Sequence, residues 1–274
     1  MLETPWIAVL GALFLWWFFT GILLWRVHRA DKGGPDDHLW SAILSLPLLA
    51  AGVLGVNATL GDPSAQGVWL AFLSALAIWG WIELAFLSGV ITGPVRAPCP
   101  PGLPGAARFW RAFGTIAWHE AALVVALSGL VWSAIGAENA FALWTFLVLF
   151  LARISAKLNL FLGVPRINTD FLPGPLKHLS SYFRQGPVSG FFPLSVTLLA
   201  LGMGCFIERL WSASDTGAVI GFTLLAALTA LALLEHWFMV WRVRDDKLWR
   251  FLLPDPDTTT KTPTTRLRED PHGL

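Results

Sequence analysis

Charge is scarce in this chain: Asp, Glu, Lys and Arg make up 14% of 274 residues, where a soluble domain carries about 25%. With 55% hydrophobic residues and a mean hydropathy of +0.61, that deficit excludes a water-soluble globular domain. The net charge is only +1, so the chain lacks the basic field with which nucleic-acid binders neutralise phosphates, and nucleic acid is excluded as a partner. The two cysteines, Cys99 in a Pro-rich stretch and Cys205 inside an apolar run, have no ligand-like spacing. Neither a disulfide nor a zinc site is expected. A nucleophile elbow, a phosphate-cradling Gly loop and an HExxH motif are all missing, which points away from an enzyme.

What the chain has instead is seven apolar runs, near residues 6–27, 39–60, 67–92, 108–135, 139–162, 190–211 and 217–241. Each reaches the roughly 20 residues needed to cross about 30 Å of hydrocarbon. The expected fold is therefore all-α, a polytopic membrane bundle of seven transmembrane helices whose solvent and first partner is the lipid bilayer. Eighteen of the nineteen Lys and Arg residues fall on one side of the resulting zigzag, with Arg209 alone on the other. Because basic residues in short loops resist translocation, the N-terminus is expected outside and the C-terminus in the cytoplasm. The first run has Glu3 in place of a basic n-region and no small-residue cleavage site, so it reads as a retained anchor.

Sixteen tryptophans are present. Trp6, Trp25, Trp40, Trp69, Trp110, Trp211 and Trp241 fall near span ends, where an indole settles among headgroups; Trp79, Trp81, Trp118, Trp144 and Trp237 fall deeper, to pack between helices, face lipid or line a pocket. Residues 92–107 are rich in Pro and Gly and read as an extended spacer. Residues 163–188 are too apolar for a plain linker. Within them Leu176, Leu179 and Phe183 mark one face of a short helix, either a cap on the bundle mouth or a docking surface for another protein. Residues 254–274, rich in Thr, Pro and charge, read as a disordered cytoplasmic tail.

The costly residues are those ionisable inside the spans. Glu83, His119, Glu120, Arg153, Glu235 and His236 are expected at similar depth on four helices, and one polar cluster follows if those helices are neighbours, since facing lipid separately would cost each about 2.5 kcal/mol or more. Lys157 is expected to snorkel to the headgroups. The cluster suits several roles: a buried network in which Arg153 pairs with Glu83 or Glu120, a tetrapyrrole contact in which His119 or His236 ligates magnesium beside Trp118 or Trp237, a two-histidine haem site, or a proton relay in a carrier. His119-Glu120 and Glu235-His236 are adjacent pairs, so their members point about 100° apart and do not form the Glu-x-x-His pattern of a di-iron bundle. A retinal protein is excluded, because residues 217–241 contain no lysine. No inverted repeat is visible, which weakens a transporter.

The run from Lys157 through Asn159-Leu-Phe-Leu-Gly-Val-Pro165 to Phe171-Leu-Pro173 and Lys177-His178-Leu-Ser-Ser-Tyr182-Phe183-Arg184 resembles the PuhE-type family of photosynthetic complex assembly proteins of phototrophic bacteria. The resemblance extends over about residues 6–253 and includes the order of the spans. It implies a bacterial inner-membrane protein, encoded near the gene for the reaction-centre H subunit, that helps assemble the reaction centre and light-harvesting complex, with a link to bacteriochlorophyll supply. Reaction-centre or light-harvesting subunits are the implied partners, and Asn159, Pro165, Phe171, Pro173, Lys177, His178, Tyr182, Phe183 and Arg184 the candidate docking residues. The family offers no catalytic residue to carry over; a pigment-precursor carrier is the alternative.

Overall fold

In hydrocarbon a helix satisfies its own backbone, and the computed structural model, which describes residues 4–169 and 172–241, is built of helices. These are α1 (Pro5–Asp31), α2 (Asp37–Leu44), α3 (Leu46–Thr59), α4 (Ala65–Leu87), α5 (Gly105–Ser133), α6 (Phe141–Leu162), a 3-10 helix (Gly174–Tyr182), α7 (Phe191–Ser212) and α8 (Thr216–Phe238). Among the described residues seven helical segments are long and apolar enough to cross a membrane, with α2 and α3 forming one of them. The break between those two has a local cause. Pro47 lacks a backbone donor and clashes with the preceding turn, and the carbonyls there are served by side chains: Ser45 Oγ donates to Ser41 O and Ala42 O at 2.8 and 3.0 Å, and Trp81 Nε1 donates to Ala42 O at 3.1 Å.

α4 is the axis of the bundle. It packs against α1, α2, α3, α5, α6 and α8, and its side chains Val68, Phe72, Ala75 and Phe86 are buried. Because lipid is as apolar as a protein core, contact between spans comes from close fit and polar partners. Gly52 of α3 supplies the fit: a Cβ placed there would stand 2.9 Å from Ser74 O of α4 and 2.8 Å from Ile78 Cγ1. Trp69, expected at the headgroups, is instead 8% exposed and packs on Gly11 of α1. Trp6, Trp25, Trp40, Trp110, Trp211 and Trp241 are exposed near helix ends.

The third span is shorter than hydropathy predicts. α4 stops at Leu87 because Gly89, at φ +75°, closes it: Gly89 N donates to Phe86 O and Val90 N to Ala85 O, a Schellman motif that a glycine accommodates without strain. The following stretch is no spacer at its start. Thr92 O accepts from Trp118 N and His119 N at 3.0 and 3.2 Å, and Val95 N donates to Gly114 O at 3.1 Å, so the chain lies along α5. Gly93 permits the approach, since a Cβ there would strike Gly114 O. Farther along, Cys99 N donates to Ser181 Oγ at 2.8 Å and Tyr182 Oη to Ala97 O at 3.0 Å. The bundle itself orders this loop.

Candidate functional site

The polar centre is organised by α6. Arg153 and Lys157 are four residues apart and share a face; Ser155 and Asn159 are also four apart and lie about 200° around the helix from them. Arg153 Nη2 donates to Glu83 Oε2 of α4 at 2.9 Å, and Lys157 Nζ donates to Glu120 Oε1 of α5 at 2.6 Å. On the other face Ser155 Oγ lies 2.8 Å from His236 Nε2 of α8, and Asn159 Nδ2 donates to Ser195 Oγ of α7 at 2.9 Å. Four polar side chains of one helix thus tie it to four others.

Lys157 corrects the expectation that it would snorkel to the headgroups: its side chain is 19% exposed and its charge is met inside the bundle by Glu120. The adjacent pairs separate as helix geometry requires. His119 Nε2 stands 3.7 Å from Glu83 Oε1, while Glu120 turns to Lys157. His236 turns to Ser155, while Glu235 Oε1 accepts from Trp16 Nε1 of α1 at 2.8 Å. The expected single cluster is therefore three groups, Glu83–Arg153–His119, Glu120–Lys157 and Glu235–Trp16, with His236 in a fourth contact. Phe86 joins the first two, stacking on His119 at 4.2 Å between centroids and lying 5.6 Å beneath Lys157 Nζ.

The two histidines meet different surroundings. His236 Nδ1 lies 2.7 Å from Ala232 O, which places the proton on Nδ1 and leaves Nε2 to accept from Ser155 Oγ; both nitrogens are engaged. His119 has no hydrogen-bond partner on either nitrogen, but it is fully buried between Phe86 and Glu83, with no open face for a macrocycle. Trp118, its neighbour in sequence, is 61% exposed on the outside of the bundle.

A cavity of about 350 Å³ lies between α1, α4, α6 and α8, with Asn168 and Leu172 at its loop end. Glu83, Arg153 and Glu235 supply its charged groups, and Trp16, Phe19, Phe72, Leu76 and Trp79 much of its apolar wall. Neither histidine lines it.

The described residues of the 163–188 segment form a fastened cover. Arg108, in the first turn of α5, donates to Phe161 O at 3.4 Å and to Tyr182 O at 2.5 Å, with its guanidinium 4.3 Å above the Phe161 ring. Asp31 Oδ1, at the end of α1, accepts from Gly174 N at 3.0 Å and lies 3.0 Å from His38 Nε2. The short helix is 3-10, so its buried stripe runs at three-residue intervals through Leu176, Leu179 and Tyr182; Phe183, expected on that stripe, is only partly buried. Leu176 and Leu179 pack on Phe86 of α4.

The candidate docking residues do not share one surface. Asn159, Pro173 and Tyr182 are buried, Pro165, His178 and Phe183 are half-buried, and Lys177 and Arg184 are exposed. Phe171 lies outside the described residues. Burial depresses the pKa of His178; a hydrogen bond to the Pro175 carbonyl opposes it, and the nearby charge of Arg96 adds a smaller downward push.

A family model described as "Protein of unknown function (DUF3623)" matches residues 2–260. The chain belongs to the DUF3623 family. A sequence described as "Uncharacterized 30.4 kDa protein in puhA 5'region" of Rhodobacter capsulatus is 51% identical over 268 residues, covering 96% of this chain and 97% of that one. No solved structure matches the chain. Ser155, Ser195, Trp16 and the inward pairing of Lys157 were not expected from sequence. The alternation Arg153, Ser155, Lys157, Asn159 was the available signal, since polar residues spaced by four on both faces of one span demand neighbours on both sides.

Proposed function

We propose that this protein is a non-enzymatic assembly factor of a bacterial inner membrane, acting in the formation of the photosynthetic reaction centre and light-harvesting complex. The observation that carries the proposal is the relative encoded beside puhA, at 51% identity along nearly the whole of both chains, together with the PuhE-type resemblance of residues 157–184. The geometry supports it in two ways. Glu83–Arg153, Glu120–Lys157, Glu235–Trp16 and His236–Ser155 contacts brace the helices, and α1, α5 and α7 present long apolar outer faces, with Leu10, Val125 and Leu201 exposed, to their lateral surroundings. The excess of basic residues on one side of the zigzag supports a cytoplasmic C-terminus and an outer N-terminus. The implied partners are reaction-centre or light-harvesting subunits.

The test is affinity purification of the tagged protein, after brief crosslinking, from phototrophically competent cells inducing their photosynthetic membranes, with the absorption spectrum of the purified fraction recorded. Recovery of reaction-centre or light-harvesting polypeptides, with pigment absorbance that tracks those polypeptides, supports an assembly factor. A fraction free of those polypeptides, from cells whose complex content is unchanged by loss of the protein, would overturn it.

A further inference from the structure

We infer that the cavity between α1, α4, α6 and α8 binds an uncharged amphipath whose aromatic head carries hydroxyl donors, of the phenol or quinol class. The site is independent of the assembly role. Its volume, about 350 Å³, lies at the small end of ligand pockets, enough for a single ring with part of a chain and too little for a macrocycle. Trp16, Phe19 and Trp79 in its wall offer faces and edges to a flat ring.

The polar groups choose the head. Glu83 is buried, lines the cavity, and is committed to the protein, with Oε2 accepting from Arg153 and Oε1 turned to His119 Nε2 at 3.7 Å, so the open acceptor of the cavity belongs to Glu235. Glu235 is exposed within the cavity; one of its oxygens is met by Trp16, and the other adds acceptor capacity. Arg153, its side chain 37% exposed, contributes donors that meet an oxygen lone pair. A hydroxyl both donates to the Glu235 carboxylate and accepts from the guanidinium. Importing a charged head instead would add the cost of carrying that charge into hydrocarbon.

The test uses the full-length protein in detergent and two probes with one apolar body: a 5-alkylresorcinol and its dimethyl ether, which keeps ring and chain but has no donor. The resorcinol is expected to raise the unfolding temperature saturably, as a ligand of the native state does, and the ether is expected to leave it unmoved. Ala152→Phe, which fills the cavity at a lining position, abolishes the shift. Glu235→Ala weakens resorcinol affinity about tenfold, the loss of roughly one strong hydrogen bond, and serves alone if Ala152→Phe fails to fold. Equal shifts from both probes, or a resorcinol shift unchanged in Glu235→Ala, would overturn the inference, because either outcome means that the probe partitions into apolar surface without using Glu235.

Discussion

α4 and α7 are both apolar helices, of 23 and 22 residues, yet 72% of the most apolar window of α4 is buried and only 17% of that of α7. Hydropathy does not separate them, because lipid and protein interior are equally apolar. Close approach and polar pairing do. α4 meets Gly52 across Ser74 and Ile78, whereas Gly202 and Gly204 of α7 face open space. α4 also buries Glu83 against Arg153 at 2.9 Å, whereas Glu208 of α7 meets only its neighbour Arg209, at 3.7 Å with both side chains about two-thirds exposed.

The largest test of that contrast is steric. Gly52→Leu drives a side chain into the α4 backbone and is expected to cost about 3 kcal/mol and most of the folded yield, read as the monodisperse peak in detergent size-exclusion chromatography. Gly204→Leu is expected within about 0.5 kcal/mol of wild type. Equal losses from both would show that α7 is packed more tightly than its open glycines indicate.

Electrostatics comes next. Arg153→Met strands the Glu83 carboxylate; discounted for the partial exposure of Arg153, the expected cost is about 2 kcal/mol. Combining it with Glu83→Gln is expected to recover roughly half, because the uncompensated charge is then gone. Glu208→Gln is expected to shift thermal unfolding by less than about 0.5 kcal/mol. A smaller effect tests the polar tie that α7 does have: Asn159→Leu breaks the bond to Ser195 and is expected to cost about 1 kcal/mol, with faster amide exchange at the start of α7 and unchanged exchange in α4.

Span number and order were legible because a bilayer demands long apolar runs, and the helix pairs sharing the polar layer followed from the cost of lone charges. The partners were not. Arg153 was equally able to reach Glu83 or Glu120 until the geometry assigned Glu120 to Lys157, and Lys157 lay close enough to a span end for the headgroups to look sufficient. Asn159 looked like the start of a loop signature because it adjoins one, yet it is fully buried against Ser195. Residues 92–99 read as a spacer because Pro and Gly deny helix, and backbone bonds to α5 leave no trace in side-chain pattern. The stripe on the short helix shifted by one residue because periodicity alone does not distinguish three from 3.6 residues per turn.

The subtlest test concerns the cover over the loop end of α4, where Leu176 and Leu179 rest on Phe86 and His178 stands between them in sequence. Burial and Arg96 hold the His178 pKa below its ordinary 6.5, so as pH falls below that value the unfolded segment takes up its proton before the folded one. The contribution of His178 is thus fully present above pH 6.5 and is lost progressively as pH falls toward the depressed folded value. Amide protection at Leu176 and Leu179, taken relative to the intrinsic exchange rate at each pH, is expected to fall across that acidic window while protection in α7 stays level, and His178→Asn is expected to flatten the pH dependence. An acid response that spreads equally to α7, or that survives His178→Asn, would place the titrating group elsewhere and detach the cover from the contrast between the two helices.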